Sequence, residues 1–397
     1  MMTTKIFKTG AAMALALAAM GTQAFAAGDA IRIGVPTALT GAYGDLGGQV
    51  RRAVELATEQ VNAAGGIDGK LVEVQFLDTQ AKAEMTRQQA EKLVDDGYDL
   101  LLGTIASGEA LAIGPMLERW DALYVSTINK ADSITGAECN SRMFRVNHLD
   151  QSDSSTVMPW LKEQAEGEWA IMASDTAWGR NAGESFNKSA GAVGKEVVAD
   201  DYAGLGTNDF APYIQKIIDS GAEGLWVALA GRDAVNFAQQ AKQFGLIEKL
   251  KIAGVSFVTD NTVKTLGETV KGIYGIINYS STLDTEANKE FVKAWAEKYP
   301  DSWPSNFEGE TYLGMQVLLA AVDAADSTEP ESVAAAMQGL EVDTIVGSVR
   351  IRPEDNQAAR ANYFGQVQDY QGVLRPVIQT EVPAHLAMPE PNAACKL

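Results

Sequence analysis

Histidine is almost missing from this chain, with two among 397 residues, His148 and His385. A Ser-His-Asp triad or a multi-histidine metal site has next to no material, and the HExxH, CxxC, GxxxxGK[ST], GxSxG and EF-hand patterns are absent as well. Neither an enzyme nor a metal centre is expected. Positive charge is also scarce: 32 Lys and Arg stand against 52 Asp and Glu, a net charge of −20. A surface of that sign repels phosphate backbones and anionic headgroups, which removes nucleic acid as a partner. Proline is limited to 12 residues, 46% of the chain is hydrophobic and 21% charged, so disorder, collagen and coiled coil are excluded.

Long apolar runs are missing too, apart from AAMALALAAM at 11–20, which is too short to span a bilayer. Lys5 and Lys8 precede it and Ala24-Phe25-Ala26 follows, so residues 1–26 read as a secretory signal peptide. No Cys follows the cleavage site, so no lipid anchor is indicated, and the mature protein is expected to be soluble outside the cytoplasm. The two cysteines, Cys139 and Cys395, then sit in an oxidising compartment and are expected to form a disulfide; unlinked thiols remain the alternative.

The length is enough for two cores rather than one. Short β-rich runs at 31–35, 71–77, 99–103 and 122–126 alternate with helical windows at 47–62, 83–94 and 109–120. The pattern restarts with strands at 168–174, 195–199, 223–229 and 251–255, and with helices at 181–190, 209–219 and 233–244. This predicts an α/β fold of two doubly wound, Rossmann-like lobes built on parallel sheets. A crossing strand at 272–278 and helical windows at 285–298 and 311–325 return the chain to the first lobe. The expected division is lobe 1 at 27–146 and 276–355, and lobe 2 at 147–275 and 356–397 with the C-terminal tail.

Open α/β sheets place ligands at the carboxyl ends of their strands, beside helix N-termini that bind anions. Ser107 and Gly108 fall at such a helix start, where Ser107 serves either as a plain N-cap or as a ligand contact. Lys130 is the one cation in the next loop, either a surface lysine or the counter-charge of a buried anion. The glycine-rich GAYGDLGG at 41–48 lacks phosphate-loop spacing and reads as a flexible strand-to-helix turn.

TALTGAYGDLG, VNAAGGIDGKLVEV, GTIASG, MFRVNHLD, ASDTAWGR and TNDFAPYIQKI together resemble the periplasmic Leu/Ile/Val-binding proteins, type I solute-binding components of ABC importers. The likeness covers nearly the whole mature chain. It implies a hinge of three crossings, a ligand enclosed on lobe closure, no catalysis, no cofactor, a membrane permease as partner and a monomeric state. RIRPEDNQA at 350–358, Cys139 before MFR and the CKL ending resemble a subgroup that binds aromatic acids or amides.

Carried over by position, the resemblance implies that Tyr43 lies at the cleft mouth and that Ser107 with its amide holds a ligand carboxylate. Ile128 and Lys130 occupy the following loop, Trp178 is an aromatic of the second lobe, and Ala230 and Ser256 fall where amino-acid binders place an aromatic and the glutamate that pairs with the α-ammonium. A buried ammonium without that acid is an uncompensated charge costing several kcal/mol. The expected ligand is therefore a small organic acid, with aromatic carboxylates among the candidates, flanked by the flat surfaces of Trp178 and Trp226. Asp150, Asp153 or Asp233 in place of the glutamate would restore an amino acid, and a sensory ligand-binding module shares the same pocket.

Overall fold

The computed structural model describes residues 30–397; the leader at 1–26 lies outside the described residues. Leu-Leu-Leu-Gly in β3 (Leu100–Gly103) and Leu-Tyr-Val-Ser in β4 (Leu123–Ser126) are buried on both faces, because helices cover each side of a parallel sheet. These two strands centre a five-stranded sheet, order β2-β1-β3-β4-β5, with β1 (Ile31–Thr37), β2 (Val72–Asp78) and β5 (Met143–Arg145), every pair parallel. The connecting helices are α1 (Gly44–Ala63), α2 (Ala83–Asp95), α3 (Ser107–Ile113) and α4 (Leu117–Trp120). The window at 109–120 is not one helix: Pro115 lacks an N–H to continue the ladder, and a 3-10 turn over Gly114–Met116 separates α3 from α4.

Helix α5 (Asp150–Glu163) opens on the polar run DQSDSST, which hid it from a reading of apolar periodicity. It leads into β6 (Glu168–Ser174), α6 (Ala177–Ala192), β7 (Glu196–Ala203), α7 (Ala211–Asp219), β8 (Gly224–Ala228), α8 (Gly231–Gln243), β9 (Lys251–Gly254), α9 (Asp260–Leu266) and β10 (Tyr274–Ile277). The chain then makes α10 (Glu286–Lys298), α11 (Asn306–Ala325) and α12 (Pro330–Met337), and a small antiparallel sheet of β11 (Glu341–Thr344), β12 (Gly347–Ile351) and β13 (Ala358–Ala359). It closes with β14 (Asn362–Tyr370), β15 (Val373–Val382) and α13 (Ala384–Ala387).

The second sheet has the order β15-β14-β10-β9-β8-β6-β7. It departs from the all-parallel expectation: β14 pairs antiparallel with β10, and β15 with β14, because a tight turn joins them as a hairpin. Helix α11 starts earlier than its apolar window, at a capping box in which the Ser305 amide donates to Glu308 Oε2 at 2.6 Å. It packs on α1, with Arg52 donating to Glu308 and Tyr312 to Gln60. It also approaches β4 so closely that a Cβ on Gly314 would sit 2.3 Å from Thr127 Cγ2.

The backbone passes between the sheets three times, after β5, after β10 and between β13 and β14. Two doubly wound α/β lobes joined by a three-crossing hinge are thus the architecture. Cys139 and Cys395 are bonded across 256 residues of sequence and fasten the C-terminal tail beside β5.

Candidate functional site

The carboxyl ends of β1, β3 and β4 face those of β6, β8 and β9 across a cavity of about 340 Å³, part of it open to solvent. One wall carries Tyr43, Leu46, Ile105, Ala106, Ser107, Ile128 and Lys130; the other carries Thr176, Trp178, Ala230 and Ser256, and Phe307 of α11 completes the lining. Seven of the nine residues singled out from sequence therefore meet here. Gly108 and Asp150 do not line the cavity.

Ser107 is the first residue of α3, and Ala106 holds the N-cap position. The serine therefore does not cap its helix. Its Oγ accepts instead from the amides of Lys130 at 3.2 Å and Ala131 at 3.1 Å, which leaves the hydroxyl proton to donate. Glu109, buried in the same turn, takes the amides of Ile105 and Ala106 at 3.1 and 2.7 Å. The Ser107 and Gly108 amides have no intrahelical acceptor, as first-turn amides.

Lys130 is not a surface lysine: it is 1% exposed. Its ammonium donates to Asp153 Oδ2 and to Asn278 Oδ1, both at 2.7 Å, so its charge is already matched. Asp150, whose amide donates to the Lys130 carbonyl, has two buried carboxyl oxygens without a partner. Burial, then the nearby Asp132 and Asp153, push its pKa well above the usual carboxylate range. Asp233 accepts from the Gly206 amide through Oδ2 and keeps Oδ1 unpartnered.

Tyr43 is fully sheltered, and burial followed by the charges of Asp233 and Glu109 raises its phenol. Trp178 lines the cavity and its buried indole N–H has no partner. Ser256 adopts a left-handed φ of 58°, an uncommon conformation for a non-glycine and one that clusters at binding sites. Trp226 does not reach the cavity; it stacks on Phe186 at 4.7 Å inside the core. The sequence reading missed Leu46, Ile105, Ala106, Thr176 and Phe307. Thr176 was legible as the cap of α6, where it accepts from the Gly179 amide. Phe307 carried no local signal, because only tertiary packing brings α11 to the cavity.

Hydrogen bonds tie the lobes together beside the cavity: Arg232 Nη2 donates to the Gly41 carbonyl at 3.1 Å, the Asp132 amide to Asn181 Oδ1 at 2.7 Å, and the Ser185 hydroxyl to Asp132 Oδ2 at 3.4 Å. Among the described residues no cluster of potential metal ligands is present, and no helix is long and apolar enough to cross a membrane.

Two facing α/β lobes with a sheltered cavity at their strand ends define a bilobal binding protein. The chain belongs to the periplasmic binding protein family, whose description matches residues 30–371. It is 26% identical over 327 residues to the Leu/Ile/Val-binding protein homolog 2 of Brucella abortus, covering 81% of this chain and 85% of that one. Two solved structures share the fold. One is an ABC transporter solute binding protein of Rhodopseudomonas palustris BisB5 in complex with 3,4-dihydroxybenzoic acid, with a TM-score of 0.84, 23% identity and coverage of 90% of this chain and 98% of that one. The other, from R. palustris in complex with benzoate, has a TM-score of 0.84, 22% identity and coverage of 93% and 100%.

Proposed function

We propose that this protein is the periplasmic solute-binding component of an ABC importer, exported by its leader at 1–26, and that it closes lobes 27–146 with 276–355 and 147–275 with 356–397 over a small organic carboxylate, aromatic in its preferred form. The observation that carries this reading is the chemistry of the cavity wall. None of its twelve residues is acidic, while hydrogen-bond donors come from both lobes: the Ser107 hydroxyl and the indole N–H of Trp178. Such a wall accepts a carboxylate and offers an ammonium group no carboxylate partner. Apolar surface from Leu46, Ile105, Trp178 and Phe307 suits a ring, and the benzoate and dihydroxybenzoate complexes of the related structures support the same class.

Contacts from both lobes let the ligand stabilise the closed form, which a permease then reads. The protein acts as a monomer, without a cofactor, and releases its ligand chemically unchanged. A second reading, an amino-acid binder, is favoured by Asp233: it keeps Oδ1 unpartnered and its charge helps to raise the phenol of the cavity residue Tyr43, and the Brucella relative carries an amino-acid-binding name.

Melting curves of the mature protein with benzoate, 4-hydroxybenzoate, benzamide and leucine separate the two, since a ligand of the native state raises Tm by mass action. A rise with the aromatic acids supports the proposal. A rise with leucine alone transfers the assignment to the amino-acid reading.

A further inference from the structure

We propose that Asp153, which lines no part of the cavity, is the residue that sets which ligand charge the cavity accepts, by holding the Lys130 ammonium neutralised and pinned to the hinge. This inference rests on the carboxylate reading above and goes beyond it to a positioning residue.

Among the described residues Lys130 is the only charged side chain on the cavity wall, and it is 1% exposed, as is Asp153. Asp153 Oδ2 takes the ammonium at 2.7 Å. Its other oxygen, Oδ1, accepts from Asn278 Nδ2 at 3.1 Å and from Asn362 Nδ2 at 2.8 Å. Asn278 follows β10 at the second crossing, Asn362 begins β14 at the third, and Asp153 stands in the first turn of α5, just past the first. Arg360 draws the same three segments together through the carbonyls of Val146 at 3.2 Å and Asn278 at 2.9 Å. One carboxylate therefore joins the wall of the ligand cavity to all three strands of the hinge.

The electrostatic consequence is direct. With Asp153 ionised, the cavity wall is close to neutral, and a ligand carboxylate shares one ammonium with a resident carboxylate. Remove the charge of Asp153 and the cavity becomes a net cation in a medium where a unit charge a few ångströms away is felt strongly. Remove Lys130 instead and Asp153 leaves it a net anion. The ratio of affinities for an anionic and a neutral ligand of the same shape reads this charge and cancels general damage to the pocket.

Calorimetry at pH 6.5 with benzoate and benzamide, on the wild type, Asp153→Asn, Lys130→Met and the double variant, tests the assignment. The benzoate-to-benzamide ratio is expected to rise about tenfold or more in Asp153→Asn, to fall by a similar factor in Lys130→Met, and to return toward the wild-type value in the double variant. If Asp153→Asn does not fold, the opposite shift in Lys130→Met and its reversal in the double variant decide the matter. A ratio that stays constant across folded variants overturns the role of Asp153 while the carboxylate reading stands. Failure of the wild type to bind either probe sinks both.

Discussion

Ser107→Ala tests the centre of the proposed site, because the hydroxyl serves the fold and, in the carboxylate reading, the ligand as well. Its Oγ is the acceptor for two amides, Lys130 at 3.2 Å and Ala131 at 3.1 Å, and the residue is 1% exposed. Each buried N–H left without an acceptor costs about 1–3 kcal/mol, and water entering from the adjoining cavity recovers part of that, so a net loss of roughly 2 kcal/mol is expected without ligand. The ligand loses a donor in the same stroke, about 1–3 kcal/mol for a charged acceptor, or roughly tenfold to a hundredfold in affinity. Urea titration followed by circular dichroism measures the first quantity and calorimetry with benzoate the second. Ser107→Thr keeps the hydroxyl and is expected to recover most of the stability. Stability within about 0.5 kcal/mol of wild type, together with unchanged benzoate affinity, would refute the geometry argued for this loop.

Three further outcomes follow from other parts of the structure. Gly231, at φ 58°, meets the first lobe so tightly that an added Cβ would lie 3.2 Å from the Ala42 carbonyl oxygen and from Tyr43 Cδ1. Gly231→Val is expected to hold the lobes apart, enlarging the radius of gyration in solution scattering with ligand present and weakening benzoate about tenfold; an unaltered scattering profile and affinity would dispose of that contact. Burial pushes the Glu310 carboxyl from 4.5 up to about 7, against the pull of Lys130 and Arg360. Because the folded form holds that proton more tightly, the stabilisation is full below about pH 4.5 and is lost as pH rises through about 7, a change of roughly 3 kcal/mol. Glu310→Gln is expected to flatten that decline in urea titrations, and identical slopes in variant and wild type would contradict it. Replacing Cys139 and Cys395 by serine opens a loop spanning 256 residues and is expected to cost about 2–5 kcal/mol with benzoate affinity retained, since neither residue lines the cavity. Equal stability of the variant and the oxidised wild type would show that the bond restrains nothing.

Pattern and length together located most of the strands that build the site, because buried parallel strands such as Leu100–Gly103 are short apolar runs that recur between helical windows. The same reasoning failed where polarity masked the pattern. Helix α5 starts on Asp150, Gln151, Ser152 and Asp153, of which Asp150, Ser152 and Asp153 are buried at the hinge and Asp153 is paired there with Lys130, Asn278 and Asn362, so the polarity does not mark a loop. The antiparallel pairing of β14 with β10 escaped because the two strands lie some 85 residues apart and such pairing leaves no local trace, whereas the hairpin β14–β15 turns at Gln371-Gly372, a local signal that was passed over.

Lys130 marks the division most clearly. The amino-acid sequence by itself determined that the chain folds as two α/β lobes, that it is acidic overall, and that one cation stands in a loop at a strand end, since these follow from residue spacing and composition. What that cation does was decided only by the tertiary structure: a lysine is a free counter-charge or half of a buried pair according to what lies within hydrogen-bond reach of its ammonium, and here Asp153 and Asn278 arrive from 23 and 148 residues away. Charge in a protein interior is a property of neighbours, and neighbours are set by the fold.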